Sequence, residues 1–393
     1  MRRSLLLLAL LIPRLGDADP CTNLPGPIVY AQVGDTQTNL VKRLARALRD
    51  NTPKPITLVF TTSGSCTNIN AIYNRVAIAD TVNMQYVPSL TEDPAWTPSS
   101  ATLTCQLPAG GVVPDVANSA LFNSACTTAA PPATVNLTTG PTQAYVLAVP
   151  EASTQTAITF EEAYFVFGFG MGGMIQPWVD ELQMFIRTTT KSTLLAWAAN
   201  IGVPADKWKG MKFDGSPMVV SALQGSTSPQ AAIGILGAEV YDQLRASLNI
   251  LAFRAKGQYA AYYPDSTASA FDKQNVRDGH YTVWSPTIWM DTTSGGSPVS
   301  ADARYVIDLI AGKQVTPVEN FDMFAIIQSV GLVPVCAMKV QRSFEGGPLS
   351  PYLSPESCGC KYDSLVATTS CAQCSASQPC TTGTCRNGFC EVQ

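Results

Sequence analysis

The chain has 393 residues, 14% of them charged, and a formal net charge of -4 at pH 7. It carries 25 lysines and arginines against 29 acidic residues, so it has no basic surplus for binding nucleic acid. The length suffices for one large core or two medium ones, and two lobes are the natural prediction. Because the overall field repels anions, any bound anion must be held by local groups.

The first 18 residues have the features of a signal peptide. Two arginines precede an apolar run at positions 5–12, and small residues flank a predicted cleavage after Ala18. The run is shorter than the roughly 20 residues of a membrane span. A proline before Cys21 disfavours a lipid anchor, and the minimal charged segment favours the ordinary secretory route over the twin-arginine route. We therefore expect a soluble, periplasmic or secreted protein that loses three arginines and one aspartate with the leader, which moves the formal charge to -6.

The twelve cysteines fall into two groups, five spread over residues 21–336 and seven crowded between 358 and 390. In an exported chain, an even number of cysteines predicts disulfides. The tail spacing could also be that of a zinc knuckle, but that segment has no histidine and would lie in an oxidising compartment, which favours disulfides. Cys105 and Cys126 are a plausible local pair, and the remaining connectivity stays open.

Three units of strand, polar loop and helix predict an α/β fold with mainly parallel strands. The predicted strands are 27–32, 56–60 and 182–187, and the helices that follow them are 39–50, 68–76 and 192–202. In the first helix, Leu40, Leu44 and Leu48 recur every fourth residue and mark a buried face. Further along the chain we expect these elements: a loop-rich stretch at 80–133, a strand at 144–150, a helix followed by a strand within 231–255, a strand at 281–290, a helix at 304–313 and a separate disulfide-rich module beyond residue 348.

The three loops that join strand to helix are small, rich in hydroxyl groups and nearly uncharged. Each leads into a helix N-terminus, where free N–H groups and the helix dipole can bind an oxyanion. The candidate donors are Thr36, Gln37, Thr38, Ser65, Thr67, Ser192 and Thr193. Arg187 adds a guanidinium suited to phosphate. The alternative for each hydroxyl is an ordinary helix cap, because serine and threonine are preferred there in any protein.

From about Pro27 to Lys313, the sequence resembles the phosphate-binding substrate-binding proteins of ABC transporters. GDTQ at 34–37 is similar to that family's first phosphate loop, and SGSCTNINAI at 63–72 to its second. ITFEEAYFVFGFG, PWVDEL, IRTTTKST, AAIGIL and DGHYTVW follow in the family's order and spacing. The resemblance implies a type 2 periplasmic-binding-protein fold in which two α/β lobes close on the anion. Residues 24–145 and 255–345 are predicted to form lobe 1, residues 146–254 lobe 2 and residues 346–393 a cysteine-rich tail.

The resemblance implies a ligand site made of Thr36, Gln37, Ser65, Cys66, Ser119, Arg187, Lys191, Ser192 and Thr193. Two departures from the family stand out. The family's acidic residue, which accepts the proton of phosphate, is replaced by Ala120, and Lys191 stands where the family has serine. The site would then hold two cations without a balancing acid unless Asp115 substitutes for it. We therefore expect phosphate to bind and sulfate to be rejected less strictly.

Other signals are weaker. GFGMGG at 168–173 fits a dinucleotide fingerprint, but it follows a predicted helix rather than a strand. His280 is the only histidine, and no G-x-S-x-G elbow accompanies it. We predict a monomeric, non-enzymatic phosphate-binding protein without cofactor or metal, with no nucleic-acid partner and with a transporter permease as the candidate protein partner. The alternatives are a fold that has lost its ligand, a secreted structural or adhesive protein, and a secreted phosphatase.

Overall fold

The computed structural model describes residues 19–366 and 370–391. The predicted leader therefore lies outside the described residues. The described α-helices are α1 (Thr38–Arg49), α2 (Ser65–Tyr73), α3 (Phe160–Phe169), α4 (Ser192–Ile201), α5 (Ser216–Gln224), α6 (Ala238–Tyr241), α7 (Gln274–Arg277), α8 (Ala301–Ile310), α9 (Met323–Ser329) and α10 (Gly359–Val366). Within these residues, every helix is too short or too polar to cross a membrane.

The strands form one large mixed sheet and three two-stranded sheets. They are β1 (Ile28–Gly34), β2 (Thr57–Ser63), β3 (Asn83–Tyr86), β4 (Leu103–Gln106), β5 (Val116–Ser119), β6 (Val135–Pro150), β7 (Ala157–Thr159), β8 (Met184–Arg187), β9 (Met211–Phe213), β10 (Ile233–Gly237), β11 (Leu248–Ile250), β12 (Ala252–Arg254), β13 (Trp284–Ser294), β14 (Ser297–Pro298), β15 (Val340–Gln341), β16 (Ser350–Pro351), β17 (Thr384–Arg386) and β18 (Phe389–Glu391).

Each half of the large sheet contains a block of parallel strands, β2-β1-β5 in one and β10-β8-β9 in the other. Antiparallel strands join the two halves, and β3 and β4 add antiparallel beside β2. Its order is β4-β3-β2-β1-β5-β13-β6-β10-β8-β9. β1 runs parallel to β2 and β5, and β8 runs parallel to β9 and β10. The long strand β6 pairs with β13 from Val135 to Ala144 and with β10 from Tyr145 to Ala148. A single strand therefore passes from one half to the other, and we call these two halves the lobes.

Each half has its own hydrophobic core. Leu40, Leu44 and Leu48 of α1 are buried, as their spacing predicts, in a core that also contains residues of β1, β2 and α8. The second core surrounds β6, β8 and β10. It also contains Tyr281 and Val283, which fall in the range 255–345 that the sequence predicts for lobe 1. The exact lobe boundaries stay a prediction.

Two segments differ from the sequence prediction. The stretch 80–133 contains three short strands, β3 to β5, although it is otherwise irregular. The segment 231–255 begins with a strand, β10, rather than a helix, and α6 is only four residues long. A short apolar run fits a buried strand and a buried helix equally well by periodicity, which explains the wrong prediction.

All twelve cysteines are paired in disulfides. The pairs are Cys21–Cys105, Cys66–Cys126, Cys336–Cys358, Cys360–Cys371, Cys374–Cys385 and Cys380–Cys390. The predicted pair of Cys105 with Cys126 is therefore wrong, because each of the two bonds to a partner that is distant in sequence. The C-terminal disulfides form a small module, but it is not fully separate, since Cys358 and Tyr362 are buried in the core around β6.

Candidate functional site

Four junctions between strand and helix meet between the two halves of the molecule. They join β1 to α1, β2 to α2, β8 to α4 and β9 to α5. The C-terminal ends of parallel strands are the usual place for ligands in open α/β sheets. A cavity of about 850 Å³ opens there, and residues of both halves line it, among them Asp35, Ser63, Lys191 and Ser216. This cavity is the candidate cleft.

The two halves touch at the floor of this cleft. A Cβ atom on Gly64, at the start of α2, would lie only 2.9 Å from the carbonyl oxygen of Thr190, just before α4. A larger residue at this position would push the two backbones apart, so a glycine is needed here. The N-termini of α2 and α4 therefore approach each other closely from opposite lobes.

Arg187 is fully buried at the end of β8 and uses its donors within the protein. Nη2 lies 2.6 Å from Asp35 Oδ2 across the cleft and donates to the Asp214 carbonyl at 2.7 Å. Nη1 donates to Ser216 Oγ at 2.6 Å, and Nε to the Phe213 carbonyl at 3.3 Å. Both N–H groups of Nη2 have acceptors, so an oxyanion that pairs with Nη2 has to take the place of the Asp35 carboxylate.

Arg187 and Lys191 are each paired with an acid, contrary to the sequence expectation. Asp35 pairs with Arg187, and Lys191 Nζ lies 3.3 Å from Asp214 Oδ1. Partial burial opposes ionisation of Asp214, but the charge of Lys191 and hydrogen bonds from Lys191 and Thr188 together outweigh it, and the pKa of Asp214 is lowered. Asp115 is not the substitute acid, because it accepts a hydrogen bond from the Tyr30 amide at the opposite end of β5. Asp35 lies within the predicted phosphate loop at 34–37, but its pairing with Arg187 depends on how the lobes pack and could not be predicted from the sequence.

Glu239, at the start of α6, is an acid that the sequence did not reveal. It is 1% exposed, and neither carboxylate oxygen has a hydrogen-bonding partner among the described residues. Burial raises its pKa well above the usual value, and the negative charge of Asp35 adds to this, while the positive charge of Arg187 opposes it. Since Asp35 and Arg187 act on its charge, the carboxyl lies near the cleft. Its only sequence signal is its position directly after the end of a parallel strand.

Several other polar atoms of the site are buried without a hydrogen-bonding partner in the described part of the chain. They are Thr36 Oγ1, Gln37 Oε1, Asn118 Nδ2, Gln143 Nε2 and Thr193 Oγ1. Buried polar atoms are nearly always paired in native proteins, so such a group marks a place for a ligand or water. Thr36 and Thr193 come from opposite lobes, and both were predicted site residues. Gln37 donates to Gln143, which the sequence did not single out.

The side chains of the predicted residues Ser65, Cys66 and Ser119 already have partners within the protein. Ser65 Oγ accepts a hydrogen bond from the Ala120 amide at 3.1 Å, and Ser119 Oγ donates to the Leu121 carbonyl. The sulfur of Cys66 is bonded to Cys126, so this residue can offer a ligand only its backbone amide. The structure places Ser65 directly after Gly64 at the start of α2 and directs the hydroxyl of Ser119 to the backbone.

Tyr145 connects the two lobes next to the position of the missing acid. Its hydroxyl donates to the carbonyl of Ala120, the residue that replaces the family's carboxylate. Complete burial raises its pKa well above the usual value, and the hydroxyl of Ser192 at the N-terminus of α4 partly opposes this. Tyr145 therefore lies between Ala120 of one lobe and Ser192 of the other, and it links the second and third predicted loops.

Replacing Glu239 with glutamine is expected to reduce the pH dependence of stability. The pKa of Glu239 is higher in the folded than in the unfolded protein, so the folded state binds the proton more tightly. The parent protein therefore loses stability as the pH rises above the unfolded value, near 4.5. We expect the gain of the E239Q variant over the parent to grow from pH 5 to pH 8 in urea unfolding. A gain that does not change with pH would contradict this.

Comparisons with known proteins establish the fold. No family model and no curated protein matches the chain. An ABC-transporter phosphate substrate-binding protein of Clostridium perfringens, solved with bound phosphate, is 13% identical and has a TM-score of 0.53; the match covers 78% of this chain and 99% of that one. An ABC-type phosphate transport receptor of Vibrio cholerae is 10% identical with a TM-score of 0.49, over 78% of this chain and 99% of that one. This chain has the periplasmic-binding-protein fold, with an added disulfide-rich C-terminal module.

Proposed function

We propose that this chain is an extracytoplasmic solute-binding protein that holds a small oxyanion, phosphate or a close relative, between its lobes. The observation that carries the proposal is the fully buried guanidinium of Arg187 at the junction of the lobes. Helix N-termini from both lobes surround it, and they carry the unpartnered hydroxyls of Thr36 and Thr193. Arginine, hydroxyl groups and free backbone amides are the groups that bind oxyanions in proteins.

In the proposed binding step, the oxyanion replaces the Asp35 carboxylate on the guanidinium of Arg187. In the structure the Asp35 carboxylate lies on the guanidinium of Arg187 and closes the lobes. An oxyanion arriving through the cleft takes this place and receives hydrogen bonds from Arg187 and Lys191. Its other oxygens then accept from Thr36, Gln37, Ser65, Ser192 and Thr193 or from the backbone amides beside them.

Selectivity among anions follows from the protonation of Glu239. Its raised pKa keeps the carboxyl neutral over a wider pH range than an ordinary glutamate. An ionised carboxylate repels a fully ionised anion and needs a proton on the ligand, whereas a neutral carboxyl can itself donate a hydrogen bond. We therefore propose that sulfate is excluded less strictly here than by a site that contains an ionised acid.

A ligand-free structural role is the alternative function that a specific observation favours. The donors of Arg187 already have acceptors in the protein, so the lobes can stay closed without a ligand. A secreted phosphatase is the weaker alternative. The paired cysteines fit an oxidising compartment, as the proposed periplasmic or secreted location requires. A transporter permease and a monomeric state remain parts of the proposal.

A ligand panel separates these functions. Thermal unfolding is followed with phosphate, sulfate, arsenate and phosphonates, and turnover of an aryl phosphate is measured in parallel. A binder is stabilised by about 2.7 kcal/mol when the ligand is present at a hundred times its dissociation constant. We expect stabilisation by phosphate, a smaller but measurable effect of sulfate, and no turnover. A protein that no anion stabilises would support the structural role, and turnover would support the phosphatase.

A further inference from the structure

A second cavity, of about 230 Å³, lies on the strands that connect the lobes, and it shares no residue with the cleft. It is bounded by Thr142 of β6, by Trp284 of β13 and by the segment 335–352, which follows α9. Its lining includes Phe122, Thr139, Trp284, Met338, Arg342 and Tyr352. Most of them are apolar or aromatic, so the single cation among them stands out.

Arg342 is 92% buried beside this cavity, yet two of its three side-chain nitrogens have no hydrogen-bonding partner among the described residues. Its guanidinium carbon lies 4.3 Å from the centroid of the Trp284 ring, and Nη2 donates to the Thr282 carbonyl at 2.8 Å. Nε and Nη1 are buried and have no hydrogen-bonding partner among the described residues. These two nitrogens carry three N–H groups, and leaving charged donors unpaired away from water is costly.

No acid of the described residues lies within ion-pair distance of Arg342. The nearby Glu345 directs Oε1 to Ser285 Oγ at 2.6 Å. Burial raises the pKa of Glu345 despite the opposing charge of Arg342, which weakens its ability to neutralise the guanidinium. Burial lowers the pKa of Arg342 to about 10, with Glu345 acting in the opposite direction. Arg342 is therefore still a cation at neutral pH, and it lacks a direct counter-ion.

We propose that this cavity binds a small, largely apolar monocarboxylate, whose carboxylate accepts hydrogen bonds from the free N–H groups of Arg342. The apolar body of the ligand then lies among Phe122, Met338 and Tyr352. One carboxylate supplies the missing negative charge and two acceptor oxygens, which match a guanidinium. A phosphate dianion would bring a second negative charge into a cavity whose lining holds a single cation, Arg342.

The size and the walls of the cavity restrict the ligand further. The cavity is much smaller than the 850 Å³ cleft, and it lies below the roughly 300 to 1,000 Å³ of sites for drug-sized molecules. A compact organic acid with an aromatic or branched body fits this description, and benzoate is a suitable probe. This inference is independent of oxyanion binding in the cleft.

Isothermal titration calorimetry with benzoate tests the proposal, with the neutral amide benzamide as the ligand control. We expect saturable benzoate binding to the parent protein, at least tenfold weaker binding of benzamide, and at least a tenfold loss of benzoate affinity in Arg342→Met. The matched control is Arg254→Met, at an exposed arginine that pairs with Glu161, and it should bind benzoate as the parent does. Equal binding to the parent and to Arg342→Met, or none to the parent, would overturn the proposal.

A second variant guards against a folding defect in Arg342→Met. Thr139 is exposed at the rim of the cavity, so Thr139→Phe should obstruct the cavity and leave Arg342 in place. We expect it to reduce benzoate affinity at least tenfold without changing the circular dichroism spectrum. Arg187→Ala should bind benzoate normally, which separates this site from the cleft. Benzoate binding that survives Thr139→Phe but is lost in Arg187→Ala would place the ligand in the cleft and refute the second site.

Discussion

Replacing Arg187 with alanine is expected to abolish oxyanion binding and to lower the free energy of unfolding by about 3 kcal/mol. The variant leaves Ser216 Oγ and the carbonyls of Phe213 and Asp214 without their donor and Asp35 without its partner. Breaking a buried ion pair by removing one partner costs about 3 to 5 kcal/mol. We expect the low end, because the Asp35 side chain is 24% exposed and retains contact with water.

The Asp35→Asn variant tests whether Asp35 competes with the ligand. Asparagine keeps the shape of aspartate but removes the charge that an incoming anion must displace. We expect oxyanion affinity to rise about tenfold, equivalent to roughly 1.4 kcal/mol, as measured by titration calorimetry. Weaker binding in Asp35→Asn would mean that Asp35 contacts the ligand directly. If Arg187→Ala binds the oxyanion as tightly as the parent does, the cleft is not the oxyanion site.

The control for both variants is Arg254→Ala. Arg254 is 40% exposed and pairs with Glu161 on the surface, and an exposed pair of this kind contributes about 0 to 1 kcal/mol. We expect unchanged oxyanion affinity and a change in stability of at most this size. Circular dichroism spectra of the three variants establish whether each retains the fold before binding is compared.

The sequence predicted correctly those parts of the fold that residues close together in the chain determine. The leucines of α1 and the polar loops before α1, α2 and α4 are fixed by neighbours within a few residues, and the sequence located them correctly. The segment 231–255 was misassigned because a short apolar run such as β10 carries no distinguishing period. The pairing of Cys21 with Cys105 joins residues 84 positions apart, and no spacing rule specifies such a partner.

In the candidate site too, the sequence indicated residues that lie in local motifs and missed contacts that depend on the packing of the lobes. Arg187 was predicted from its position before α4 and Lys191 from the family resemblance; Arg187 pairs with Asp35 across the cleft, and Lys191 lines it. The acids that balance them, Asp35 and Asp214, were missed because Asp35 meets Arg187 only when the lobes close. Glu239 was missed because its position after a parallel strand is a weak signal, and only burial without a partner distinguishes it from a surface glutamate.

Removing the Cys21–Cys105 disulfide is expected to have a large effect on stability. Both cysteines are fully buried, and the bond holds the N-terminal turn against β4 at the edge of the large sheet. For a loop of 84 residues, the chain-entropy relation gives about 4.5 kcal/mol, within the roughly 2 to 5 kcal/mol lost when native disulfides are removed. We expect C21A/C105A to lose about this much in urea unfolding while its oxyanion affinity is unchanged, because the bond lies away from the cleft.

The matched control is C374A/C385A, which opens a loop of only 11 residues in the C-terminal module. The same relation gives about 2.8 kcal/mol for this loop, so the loss should be smaller than in C21A/C105A. Since neither pair lines the cleft, oxyanion affinity should stay at the parent value in both variants. Equal losses in the two variants would show that loop closure does not determine the contribution of these bonds. Reduced affinity in C21A/C105A alone would show that the edge of the large sheet influences closure of the lobes.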